Sequence, residues 1–148
     1  MSQSIRNTTK TMRPSKQGYQ RDWYVLDASK EPMGRLATKA ANILMGKNRA
    51  DYSPDVNMGG IVVIVNSKKT KVTGQKAIRK NYFRHSGRLG GLKIRSFQEQ
   101  MIIDPSVPIY KAIKNMLPKN RHQDIRMNQL LHIFPEGHNF TNKMIETN

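Results

Sequence analysis

The chain has 148 residues, enough for one domain with its own core, and 26 Lys and Arg against 10 Asp and Glu give it a net charge of +16. Cysteine is absent, which excludes disulfides, thiolate metal sites and a cysteine nucleophile and fits a reducing compartment; no apolar run approaches the ~18 residues of a membrane helix. Self-repulsion at such charge makes a polyanion the expected partner, a nucleic acid first and an acidic membrane surface second, and disfavours a homo-oligomer.

Residues 1–20 read as a basic extension, with Arg6, Lys10, Arg13 and Lys16 among many Ser and Thr and no acid. An organellar transit peptide has this composition, and so does a flexible arm that threads into RNA. Patterned sequence begins at Trp23-Tyr24-Val25-Leu26-Asp27, rich in β-formers, which predicts a strand. After the turn at Pro32, Met33, Leu36, Ala37, Ala40, Ile43 and Leu44 recur at helical spacing and Gly46 can close the helix. Ile61-Val62-Val63-Ile64-Val65 is continuously β-branched, so a strand buried on both faces is expected there, and a further short strand ends at Val72-Thr73-Gly74. Strand, helix, strand in this order predicts an α/β fold with parallel strands.

Farther along, Ser96 and Glu99 have the spacing of a capping box, opening a short helix that ends before Pro105. A second helix buries Ile109, Ala112, Ile113, Met116 and Leu117, turns Lys111 and Lys114 outward, and stops at Pro118. Residues 130–134 are expected to form the last strand. A single domain over residues 21–140 follows, with 141–148 as a polar tail.

The position of the charge says more than its total. From Val56 to Gln98 there is no acid in 43 residues, against ten Lys and Arg that include Lys76, Arg79, Lys80, Arg84, Arg88 and Lys93. Ordinary surfaces mix both signs, whereas one sign sustained this long is the footprint expected for phosphate contact. Within it, Arg84 and Arg88 can fork onto phosphate oxygens, and Gly87, Gly90 and Gly91 either let backbone amides approach a phosphate beside Ser86 or form a tight turn. Tyr82, Phe83 and His85 are candidates to stack on exposed bases, although Phe83 also fits a core position on a strand. Arg35 and Lys39 on the first helix, with Lys47 and Arg49 beyond it, make a second basic cluster.

Enzyme motifs fail on spacing. Gln75 separates Gly74 from Lys76 and Ala77 follows, so the Walker pattern is not met, and the glycines near Gly87 do not fit GxGxxG. Four scattered His lack carboxylates at ligand spacing, and Ser86 beside His85 has no third group to complete a nucleophilic triad. Neither a catalytic site, a small-molecule substrate, a cofactor nor a metal is expected.

Several blocks then occur in order: Arg21-Asp22-Trp23-Tyr24-Val25-Leu26-Asp27-Ala28, Gly34-Arg35-Leu36-Ala37, Tyr52-Ser53-Pro54, Val72-Thr73-Gly74-Gln75-Lys76, Arg84-His85-Ser86-Gly87 with Gly90-Gly91, and Met116-Leu117-Pro118-Lys119. In this ordered set, over about residues 21–140, the chain resembles the bacterial-type large ribosomal subunit protein L-thirteen family. The resemblance implies a three-layer α/β/α domain with a four-stranded, mostly parallel sheet. It also implies a structural role on large-subunit ribosomal RNA from early in assembly, with neighbouring ribosomal proteins as partners and no catalytic residues. Carried over by position, the His-Ser-Gly segment with Gly90-Gly91, the Gly-Gln-Lys turn and the Leu-Pro-Lys segment ending at Lys119 are the RNA-facing candidates that the resemblance implies.

The chain departs from the family pattern at Gly60, over residues 120–124, and in the apolar segment Leu131 to Phe134. Arg84 to Arg88 looks more like cyanobacterial and plastid members, which keeps an organellar ribosome open beside a bacterial one. The rival reading from the same basic surface is an autonomous RNA-binding regulator, such as a messenger RNA repressor.

Overall fold

The computed structural model describes residues 20–137 and 145–146; the basic extension, apart from Gln20, and most of the polar tail lie outside them. Strand β1 (Trp23–Asp27) pairs in parallel with β2 (Ile61–Val65) over five residues, from Trp23 opposite Ile61 to Asp27 opposite Val65. Between them runs α1 (Met33–Met45), with the bounds that its apolar spacing predicts. Gly46 closes it in a left-handed conformation, φ 80°, donating its N–H to the Ile43 carbonyl while Lys47 N–H reaches that of Asn42.

Eight side chains of α1 are buried, among them Leu36, Ala37, Ala40 and Leu44. They meet Leu26, Val62 and Ile64 from the sheet and Ile109 and Ile113 from α4 (Ser106–Met116). Two glycines let the chain after α1 return tightly: a Cβ on Gly59 would lie 1.9 Å from the Leu44 carbonyl oxygen, and Gly60 donates its N–H to the Ile43 carbonyl at 3.1 Å.

The remaining elements are α2 (Lys76–Arg79), β3 (Asn81–His85), β4 (Leu92–Ser96), α3 (Phe97–Ile103), α5 (Arg121–Ile125), a π-helical turn (Arg126–Leu130), β5 (Leu131–Ile133) and β6 (Ile145–Glu146). The capping box forms as expected: Glu99 N–H donates to Ser96 Oγ at 3.2 Å and Ser96 N–H to Glu99 Oε2 at 3.0 Å. The predicted stripe on α4 holds at Ile109, Ile113 and Leu117, but Met116 is exposed because it borders the open groove beside α1.

The α/β class holds, whereas the expected four-stranded sheet is three parallel strands, β5-β2-β1, with the two-residue β6 added at the edge of β1. Ile145 and Glu146 were expected in the tail; a pairing two residues long leaves no periodicity to read. The strand expected at Val72-Thr73-Gly74 shrinks to a single bridge between Lys71 and Pro32, since Lys71 gives its carbonyl to the first turn of α1. By contrast, β3 and β4 form a separate antiparallel ribbon, and α5 was not foreseen because tertiary contacts hold it: Gln123 Nε2 donates to the Lys114 carbonyl at 2.6 Å.

Because the Leu44 backbone leaves no room beside Gly59, the Gly59→Ala variant is expected to lose about 1–3 kcal/mol of stability. Chemical denaturation measures it, and an unchanged midpoint would show that this contact relaxes freely.

Candidate nucleic-acid interface

After β2, which enters the core sheet, the acid-free segment folds into a turn, α2 and the ribbon. Directly opposed strand residues share a face. Tyr82 opposes Arg95, and Arg84 opposes Lys93, so one face is basic. Phe83 opposes Ile94, and His85 opposes Leu92, so the other is largely apolar. Both faces are open to solvent beyond Tyr82.

Tyr82 is 9% exposed and roots the ribbon in the core, whereas Phe83 is 63% exposed. The core position expected for Phe83 therefore belongs to its neighbour, since strand residues alternate and Tyr82 faces the helices. Lys111 Nζ sits 4.8 Å from the centre of the Tyr82 ring and Lys80 Nζ 5.5 Å, so both cations rest on it. Lys111 thus turns toward this ring instead of outward. Burial pushes the Tyr82 phenol above its usual pKa, and its oxygen has no hydrogen-bond partner. Of the three stacking candidates, Tyr82 is enclosed, whereas Phe83 and His85 lie open to solvent.

At the ribbon's tip the loop explains its own glycines. Gly87 and Gly90 have φ of 86° and 72°, and a Cβ on Gly91 would strike Ser86 Oγ and the Arg88 carbonyl. Gly87 N–H donates to His85 Nδ1 at 2.9 Å, and Gly91 N–H to the Arg88 carbonyl at 2.9 Å. The Gly-Gly pair is therefore a tight turn, and it leaves Ser86 and Arg88 exposed at the tip.

The second basic cluster breaks up. Helix α1 is about 20 Å long at ~1.5 Å per residue, so Arg35 in its first turn and Lys47 and Arg49 beyond its end stand far apart. Lys39 is paired with Glu31 at 2.5 Å, and Arg49 with Asp51 at 3.0 Å and Asp22 at 3.4 Å. The Arg49 hydrogen bond holds the Asp51 carboxyl below its usual pKa. These acids neighbour the cations in space, from sequence positions that the spacing did not connect.

Arg35 instead joins Lys76, Arg79 and Lys80 around a groove of about 970 Å³ between the first turn of α1, α2 and α4. Partial burial, and next the charge of Lys76, hold the Lys80 pKa below its ordinary value. Lys119 belongs to a second concavity with Lys114 and Arg121, which sequence spacing missed because Pro118 turns the chain between them. Lys68, also in the acid-free segment, is answered by Glu136 at 2.6 Å.

A profile of the family described as Ribosomal protein L13 matches residues 21–139. The chain belongs to that family. Its relatives include the large ribosomal subunit protein uL13 of Crocosphaera subtropica, 49% identical over 76% of this chain and 74% of the relative. The uL13 proteins of Chromohalobacter salexigens and Ureaplasma urealyticum are each 46% identical over 74% of this chain, and over 78% and 74% of their own lengths. Within this family frame, the open basic face of the ribbon and the cation-lined groove are surfaces at which the described residues place no paired acid.

Removing the unpartnered Tyr82 hydroxyl should cost nothing: Tyr82→Phe is expected to keep or raise the melting temperature and to leave RNA binding unchanged. A fall in RNA affinity without loss of stability would return Tyr82 to the interface.

Proposed function

We propose that this chain is a structural component of the large ribosomal subunit, in which it binds and stabilises ribosomal RNA and performs no catalytic turnover. The observation that carries the reading is the basic ribbon face, Arg84, Lys93 and Arg95 with Arg88 at the tip, on a member of the Ribosomal protein L13 family. Phosphates replace the counter-charge that this face lacks, and counterion release drives the association. The relatives named above are all described as large-subunit proteins, which lends no support to a free messenger RNA repressor.

The chain acts in this reading as a single copy among ribosomal RNA and neighbouring ribosomal proteins, since a net charge of +16 opposes self-association. Its RNA-binding domain starts at residue 21, after the extension of residues 1–20, and reaches past the expected boundary at 140 to include the edge strand β6. Arg21 supports the boundary, because it donates to the carbonyls of Gly59 at 2.6 Å and Asn57 at 3.3 Å and so already belongs to the fold. We read the sheet as the middle of three layers. Val63 is 1% exposed although the pleat turns it away from Val62, Ile64 and α1, so the second face is covered too.

The double substitution Arg84→Ala and Arg88→Ala is expected to weaken binding to large-subunit ribosomal RNA and to lower the slope of log K against log salt by about 1.5–2. An unchanged slope, measured by filter binding across a salt series, would strike both residues from the interface. Deleting residues 1–20 should preserve the thermal transition, and its loss would move the domain boundary.

A further inference from the structure

Gly34 stands in the first turn of α1, exposed, with helical φ, and a Cβ built on it meets nothing within 4 Å. Glycine there weakens the helix relative to alanine, and neither turn geometry nor packing requires it. The contrast is with Gly46, Gly87 and Gly90, whose φ is positive, and with Gly59 and Gly91, where other atoms occupy the space. Gly34 lines the groove together with Arg35, Lys76, Arg79 and Lys80, and most of its lining surface is apolar, with Met33, Val72, Ala112 and Met116 contributing. No Asp or Glu lines it, and the first turn of α1 carries no acidic residue and no side-chain cap.

We propose that this groove receives one unpaired nucleotide of the bound RNA, with the base on the apolar lining, the phosphate among the four cations, and the sugar–phosphate backbone passing over Gly34 where a side chain would stand. The inference rests on the RNA-binding reading above and names a subsite for it. An apolar lining shared with several cations suits a flat base joined to an anion. The groove's volume falls within the roughly 300–1,000 Å³ of sites that enclose compact ligands, and the missing Cβ matches a backbone approaching closely. An acidic protein segment would also meet the charge, but it gains nothing particular from a largely apolar lining.

The test uses the full chain with bare large-subunit ribosomal RNA. Gly34→Ala is expected to raise the melting temperature by about 2–4 °C and to weaken RNA binding several-fold. Gly34→Phe and Met116→Trp fill the groove without changing charge, from exposed positions. Both should weaken binding at least about tenfold with the salt slope unchanged, whereas Arg79→Ala should lower the slope by about one.

Wild-type affinity in both filled variants overturns the proposal while leaving the ribosomal reading intact. If they bind bare RNA normally but are lost from assembled subunits, the occupant is a protein segment and the proposal is likewise overturned. A thermal shift of the wild type by adenosine monophosphate, absent in Gly34→Phe while RNA binding is unchanged, would assign the groove to a free nucleotide instead. A wild-type chain that ignores ribosomal RNA would defeat the ribosomal reading itself.

Discussion

Burial of α1 is the constraint from which the arrangement of charge follows. With eight of its thirteen residues enclosed by the sheet and α4, the helix can carry cations only at its ends and along one narrow strip. Each apolar side chain withdrawn from water contributes about 1.5–3 kcal/mol, and a lysine or arginine placed among them would forfeit that gain and add a desolvation penalty. A chain with 26 basic residues and a modest apolar fraction must therefore export its charge to elements that have little core to make. The ribbon, α2 and the turn after α4 are such elements.

Exported charge is not all alike. Lys39, Arg49 and Lys68 meet carboxylates across the surface, where a pair adds little stability and mainly quiets the local field. The cations of the ribbon face and of the groove gather without an acid among them, and Lys80 feels both partial burial and Lys76. Such crowding weakens the isolated chain slightly, and the phosphate contact proposed above would relieve it. Stability of the free protein and affinity for its partner thus pull in opposite directions at these positions.

Local patterns carried the elements whose contacts are local or strongly periodic. The apolar spacing of α1, the run from Ile61 to Val65 and the Ser96–Glu99 box all describe neighbours a few residues apart, and each formed with the expected bounds. What spacing did not reach were relations between distant segments. Tyr82 and Phe83 both suit a strand, and only the side on which the helices lie decides that the tyrosine enters the core. Arg49 counted in a basic cluster until the fold brought Asp22 beside it in addition to its near neighbour Asp51, and Arg35 shifted from one cluster to another because the groove places it with cations of α2. Family resemblance located the basic segments but not the groove, which three separate elements build together.

The ribbon meets the core through one aromatic side chain, while its other strand residues face solvent or sit at its margin. Changes at most of its positions therefore leave the packed interior undisturbed and, in the RNA-binding reading proposed above, are felt when RNA is bound. Folding and recognition are consequently encoded in largely separate stretches of the chain, and natural variation can retune the outer stretch while the inner one is held to its shape.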